Sequence, residues 1–180
     1  MTIVSVNKLD VAKQQIDAAI RLHFSGEDIV VVHTIAASAN QILRDIAENK
    51  KNSQWHNEIN EIIQPNMKSK IWGLMNKPFN FLKHADKDSD EILEIEENIN
   101  DHTIISCCCY SVTLGLPITN EIAGFTRWYA IMYPHTLLDI SNIKPFVSSN
   151  NFDCFRNLTR IEKLNYGMQL VLSISKGENM

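Results

Sequence analysis

The sequence predicts an all-α fold, a single-domain bundle of about six to eight helices over residues 1–180. Three observations carry this. Apolar residues recur at helical spacing through most of the chain, and period-2 runs are few. Capping residues stand where the periodic stretches begin, and glycine or proline where they end. With 180 residues, 44% hydrophobic and 21% charged, the chain can bury a substantial core and has an ordinary globular balance.

Asn7 caps the first helix with Asp10 behind it, and Leu9, Ala12, Ile16, Ala19, Ile20 and Phe24 form its apolar stripe. Ser25–Asp28 breaks the pattern and caps a second helix, expected over roughly 29–48. Its apolar face carries Val32, Ala36, Ala39, Leu43 and Ile46. The run IVVV at 29–32 has strand propensity, but it continues into a helical period, and the longer pattern decides. The small residues Ala36, Ala37, Ser38 and Ala39 allow a partner helix to approach closely, and with the aromatics they lead to the expectation of a homodimer.

After a polar turn at 49–53, short helices are expected near 54–63 and 66–76, separated by Pro65. Pro78 suits the first turn of another short helix, which ends before the aspartates of 86–90. The segment EILEIEEN after it is ambiguous between helix and a short extended piece. A helix over about 98–114 stops at Gly115-Leu116-Pro117, and Thr119, Asn120 and Glu121 start another that reaches Tyr133 before Pro134. A last helix is expected over about 152–175.

A net charge of -4 gives no global reason to expect nucleic acid, so no DNA partner is expected. No apolar run approaches the roughly 18 residues of a membrane span. The start MTIVSVNKLDVAKQQ lacks the basic and apolar blocks of a secretory leader. No membrane partner is expected, and the location is read as cytoplasmic. Cys107, Cys108 and Cys109 are consecutive, and neighbours on a helix diverge by about 100°. They suit neither a disulfide framework nor a thiolate metal site, and read as buried free thiols.

The densest polar cluster lies in KPFNFLKHADKD, 77–88. Asn80 and His84 are four apart and share a helical face, with Lys83 beside them. His84 is the candidate general acid or base, Asn80 the candidate orienting amide and Lys83 the neutralising cation. The competing reading makes His84 a packing contact that donates to a neighbouring carbonyl. Lys77, His33 and Asp86 are the further candidate binding residues.

Asp86, Asp88, Asp90, Glu94 and Glu97 fall on positions 1, 3, 5, 9 and 12 of a calcium-loop template, but Glu91 stands where the template needs glycine. His23 and His33, with Glu27 or Asp28, lie near the turn between the first two helices without a single-helix metal spacing. No metal or cofactor is expected. Arg156, Arg160 and Lys163 form a basic stripe on the last helix, read as a solvated face with phosphate contact as the alternative. Trp55, Trp72, Trp128 and Tyr129 read as core or dimer contacts.

HTIAASANQILRDI together with KPFNFLKHADKD resembles a family of uncharacterised all-helical bacterial proteins, over about Lys8 to Tyr133. The Asn80-xxx-His84 spacing is similar, more distantly, to the HEPN superfamily of helical bundles, many of which bind nucleotides or cleave RNA as dimers. Their ribonuclease motif places an arginine before the polar residue. Here Phe79 stands next to Asn80 and the nearest upstream cation is Lys77, which lacks arginine's bidentate fork. The leading expectation is a non-catalytic helical binding or interaction protein. The alternative is a HEPN-like ribonuclease or nucleotide-binding protein using His84, Asn80 and Lys83, and a metal-dependent helical enzyme comes third.

Overall fold

The computed structural model describes residues 2–49, 73, 76–83, 90–133, 155 and 157–177, and these form an all-α bundle with no strand. Five helices make its frame: α1 (Lys8–Phe24), α2 (Ile29–Asn49), α3 (Ile99–Thr113), α4 (Asn120–Met132) and α5 (Arg160–Ser175). A further helical segment covers 76–83. The short helices expected near 54–63 and 66–76 lie almost wholly outside the described residues, as do Trp55, Trp72, Arg156 and Cys154. Among the described residues, no helix is long and apolar enough to cross a membrane.

Local chemistry sets most boundaries. The Asn7 side chain accepts from the Asp10 amide and starts α1. At the other end Gly26, at φ 74°, lets Glu27 N–H reach Leu22 C=O and its own N–H reach His23 C=O. This double closure satisfies carbonyls that the end of the helix would leave unpaired. Asp28 then caps α2 by accepting from the Val30 amide at 2.8 Å. Gly115 ends α3 the same way as Gly26 ends α1, with Leu116 N–H on Ser111 C=O. Thr119 caps α4, and its hydroxyl also donates to Asp17 Oδ1 on α1 at 2.6 Å.

One expectation is corrected here. The last helix does not run unbroken from 152, because residues 157–159 leave the helix and Thr159 opens α5 with a capping box to Glu162. A Thr–Glu pair three apart satisfies two free amides at once, which outweighs the apolar pattern running across it. The small residues of α2 do let partner helices approach. Ala36, Ala37 and Ala39 are buried within the same chain, with α1 on one side and α3 on the other. The ambiguous segment at 91–96 is non-helical, with Leu93 and Ile95 half-buried and Glu94 and Glu96 exposed.

α1 touches all four other frame helices. It runs antiparallel to α2, with Gln15 Nε2 donating to Ser38 Oγ at 3.2 Å. α2 and α3 run parallel. Asn100 meets Ile29 and His33, Cys107 Sγ–H reaches Ala36 C=O, and the Asn40 amide reaches Thr103 C=O. α4 and α5 run antiparallel, joined by the Trp128 indole N–H on Lys163 C=O at 2.7 Å. Two glycines bring α5 close. A Cβ on Gly124 would stand 2.5 Å from Val171 Cγ2 and 3.0 Å from its Cα, and one on Gly167 would overlap the Phe24 ring. Phe24, Phe125, Trp128 and Tyr129 fill the centre, with Phe24 and Trp128 edge to face at 5.3 Å.

Candidate functional site

The segment 76–83 presents Lys77, Asn80 and Lys83 to solvent and buries Pro78 and Phe79. Lys83 Nζ lies 3.6 Å from the Phe79 ring centre, a cation–π contact one turn apart. His84 and Asp86 lie outside the described residues. His33 is not at this surface: it is fully buried between α2 and α3.

His33 is a core histidine with one nitrogen satisfied. The Asn100 amide donates to Ile29 C=O at 2.9 Å, which fixes its oxygen as the acceptor for His33 Nδ1–H at 3.0 Å. The Nε2 is then an acceptor, buried and without a partner among the described residues. Burial pushes the imidazole below its usual range, against the Asn100 bond that favours its charged form.

Asp101, the next residue, is fully buried and takes four hydrogen bonds. Arg160 grips both oxygens at 2.7 Å each, His23 Nε2–H reaches Oδ1 at 2.9 Å, and the Tyr133 hydroxyl donates to Oδ2 at 2.6 Å. Burial alone would raise this carboxyl, but the bonds and charges of Arg160 and His23 prevail and hold it at about 2. Four donors saturate a carboxylate, so none of its lone pairs is free for a substrate. Arg160 therefore leaves the basic stripe expected on the last helix and turns inward. His23 is committed to the same carboxylate. Among the described residues, no group of three or more His, Cys, Asp or Glu side chains is placed to hold a metal ion.

Successive residues of the first turns of α3 thus reach different helices. Asn100 ties α2, and Asp101 ties α1, α5 and the end of α4. His102 Nδ1 meets the Tyr129 hydroxyl of α4 at 2.8 Å, and Thr103 C=O accepts from Asn40. Sequence reasoning missed this hub. Its signal was present: four consecutive polar residues, Asn100-Asp101-His102-Thr103, open a helix that is otherwise largely apolar.

On the outer side of that turn a cavity of about 360 Å³ opens toward the 76–83 segment. Lys77 and Pro78 form one wall, Leu93 to Glu96 the other, and Ile99, His102 and Thr103 the floor. The volume falls within the range of small-molecule sites. Thr103 has spent its hydroxyl on Ile99 C=O. His102 is held by Tyr129 and its ring lies tilted against Tyr133 with centres 5.1 Å apart, leaving its other nitrogen unbonded among the described residues. Partial burial lowers the pKa of His102, opposed by the nearby Asp101 and Glu96 carboxylates.

Other chemistry is closed off. Cys107, Cys108 and Cys109 are buried free thiols, and burial pushes Cys108 up to about 12 and Cys107 well above its usual value. A thiol so protonated is a poor nucleophile and a poor metal ligand. Comparison of the chain with protein-family models, curated proteins and solved structures finds no match.

Proposed function

We propose that the protein is a non-catalytic ligand-binding protein of the cytoplasm, with its site in the cavity between 76–83 and the start of α3. The observation that carries this reading is the cavity itself, walled by the polar segment that the sequence singles out and floored by the helix turn to which the other frame helices are tied. Rigid floors favour binding, because little order has to be imposed when a ligand arrives. The three described cysteines are buried and Cys108 is held protonated, so these thiols offer no nucleophile to the cavity. The buried free thiols support a reducing compartment.

The test is a fragment screen read by amide and side-chain NMR shifts on the intact chain. Shifts clustering at Lys77, Leu93–Glu96, Ile99 and His102 are expected. Shifts confined to other faces, or none from any fragment, would overturn the reading. Mononucleotides and a short RNA belong in the same screen, with His84→Ala beside the parent. RNA cleavage lost in that variant would replace this reading with the HEPN-like one.

A further inference from the structure

The two walls of the cavity carry opposite charges that do not meet. Lys77 stands on the helical wall, Glu94 and Glu96 on the facing segment, and all three line the same space. Among the described residues none of them takes part in an ion pair or hydrogen bond. All three are exposed, so water solvates them. Pro78, Leu93, Ile95 and Ile99 line the same space and give it an apolar strip.

Unjoined opposite charges around an apolar strip specify a ligand with the same three parts. Resting on the binding-site reading above, we infer that the cavity takes a small zwitterion with an apolar side group, of the class of a free α-amino acid with an aliphatic or aromatic side chain. Its carboxylate is received by Lys77, its ammonium by Glu94 or Glu96, and its side group by the Leu93, Ile95 and Ile99 surface. A simple acid leaves the two glutamates facing its carboxylate, and a simple amine leaves Lys77 facing its ammonium. Each mismatch repels one end. The imidazole of His102 lines the same space and adds a polar group beside these charges.

The test compares three compounds of one skeleton by calorimetry on the full chain: L-phenylalanine, 3-phenylpropionate and phenethylamine. A charge-assisted hydrogen bond of the usual strength makes the zwitterion about tenfold tighter than either analogue. Lys77→Met is expected to bring phenylalanine and phenethylamine level, and Glu94→Gln with Glu96→Gln to bring phenylalanine and phenylpropionate level. These side chains are exposed, so the variants keep the parent's circular dichroism and melting temperature. Equal or tighter binding of the acid, or of the amine, by the parent overturns the zwitterion inference while leaving a binding site in place. So does a preference for N-acetylphenylalanine amide. No binding by all three, with other fragments still shifting cavity residues, also overturns the inference alone. An NMR screen silent at the cavity overturns the site with it.

Discussion

Asp101 and Arg160, 59 residues apart, meet through two parallel hydrogen bonds of 2.7 Å each, inside a bundle where the carboxylate has no exposure at all. Geometry of this kind matches a planar guanidinium to a carboxylate, which lysine cannot do. The pair fastens the start of α5 to the start of α3.

Asp101→Asn is expected to destabilise the protein by about 3–5 kcal/mol, since it removes the buried counter-charge of a half-buried arginine. Arg160→Lys keeps the charge but loses the fork, and is expected to cost less. Guanidinium unfolding followed by circular dichroism measures both. A loss under about 1 kcal/mol in Asp101→Asn would show that the ion pair does not hold these helices.

Acid should act in two stages. His33 and His102 have lowered folded values, so the unfolded chain binds more protons below about 6.5 and stability starts to fall there. Asp101 is depressed from 3.8 to about 2, so its contribution is complete above 3.8 and is lost as pH falls toward 2. That second stage is worth about 2 kcal/mol. Asp17, whose carboxyl is raised chiefly by burial, works in the opposite direction and gains as pH falls. Carbon-detected titration of Asp101 in the native state checks the assignment. A midpoint near 4 would refute it.

Gly124→Ala is expected to destabilise by about 1–3 kcal/mol despite alanine's better helix propensity. The new methyl meets the Val171 backbone, which cannot rotate away. Trimming the neighbour in Gly124→Ala/Val171→Ala relieves part of the overlap, so the two substitutions should couple favourably in a double-mutant cycle. Strict additivity would mean that α4 and α5 simply move apart.

Native Cys107, Cys108 and Cys109 should resist iodoacetamide at pH 8 and react once the chain is unfolded, as read by peptide mass mapping. Burial both hides these thiols and keeps them protonated. Labelling of any of the three in the folded protein would show that α3 opens locally.

The frame was legible where local chemistry decides it. Asn7, Asp28 and Thr119 cap helices, and Gly26 and Gly115 end them, through contacts a few residues long, so reading along the chain suffices. The same scale of reading failed at Thr159. There, continuing apolar spacing argued for one helix, and a capping box cut it short. Arg160 was read from its own helix as part of a solvated stripe, because its partner lies on another helix and no periodicity reports that. The sequence drew attention to the segment that walls the cavity, where Lys77 lines it, through its density of polar groups. The floor went unseen, because His102 becomes part of a site only when Tyr129 and the segment 93–96 arrive beside it.

The parallel course of α2 and α3 governs the order in which this chain can assemble. Contacts between α1 and α2 close over short loops, as between Gln15 and Ser38, 23 positions apart. Those between α2 and α3 span 63 to 71 positions, because residues 50–98 must carry the chain back to the end from which α2 began. Closing such a loop takes entropy before any contact repays it, so non-local docking slows folding. The α1–α2 hairpin is the early unit, and the turn at Asn100–Thr103 locks late, when all its tethers are within reach. In pulse-labelled refolding, amides of α1 and α2 should gain protection first and those of Asn100–Thr103 afterwards. The cavity then comes into being with the last step of folding.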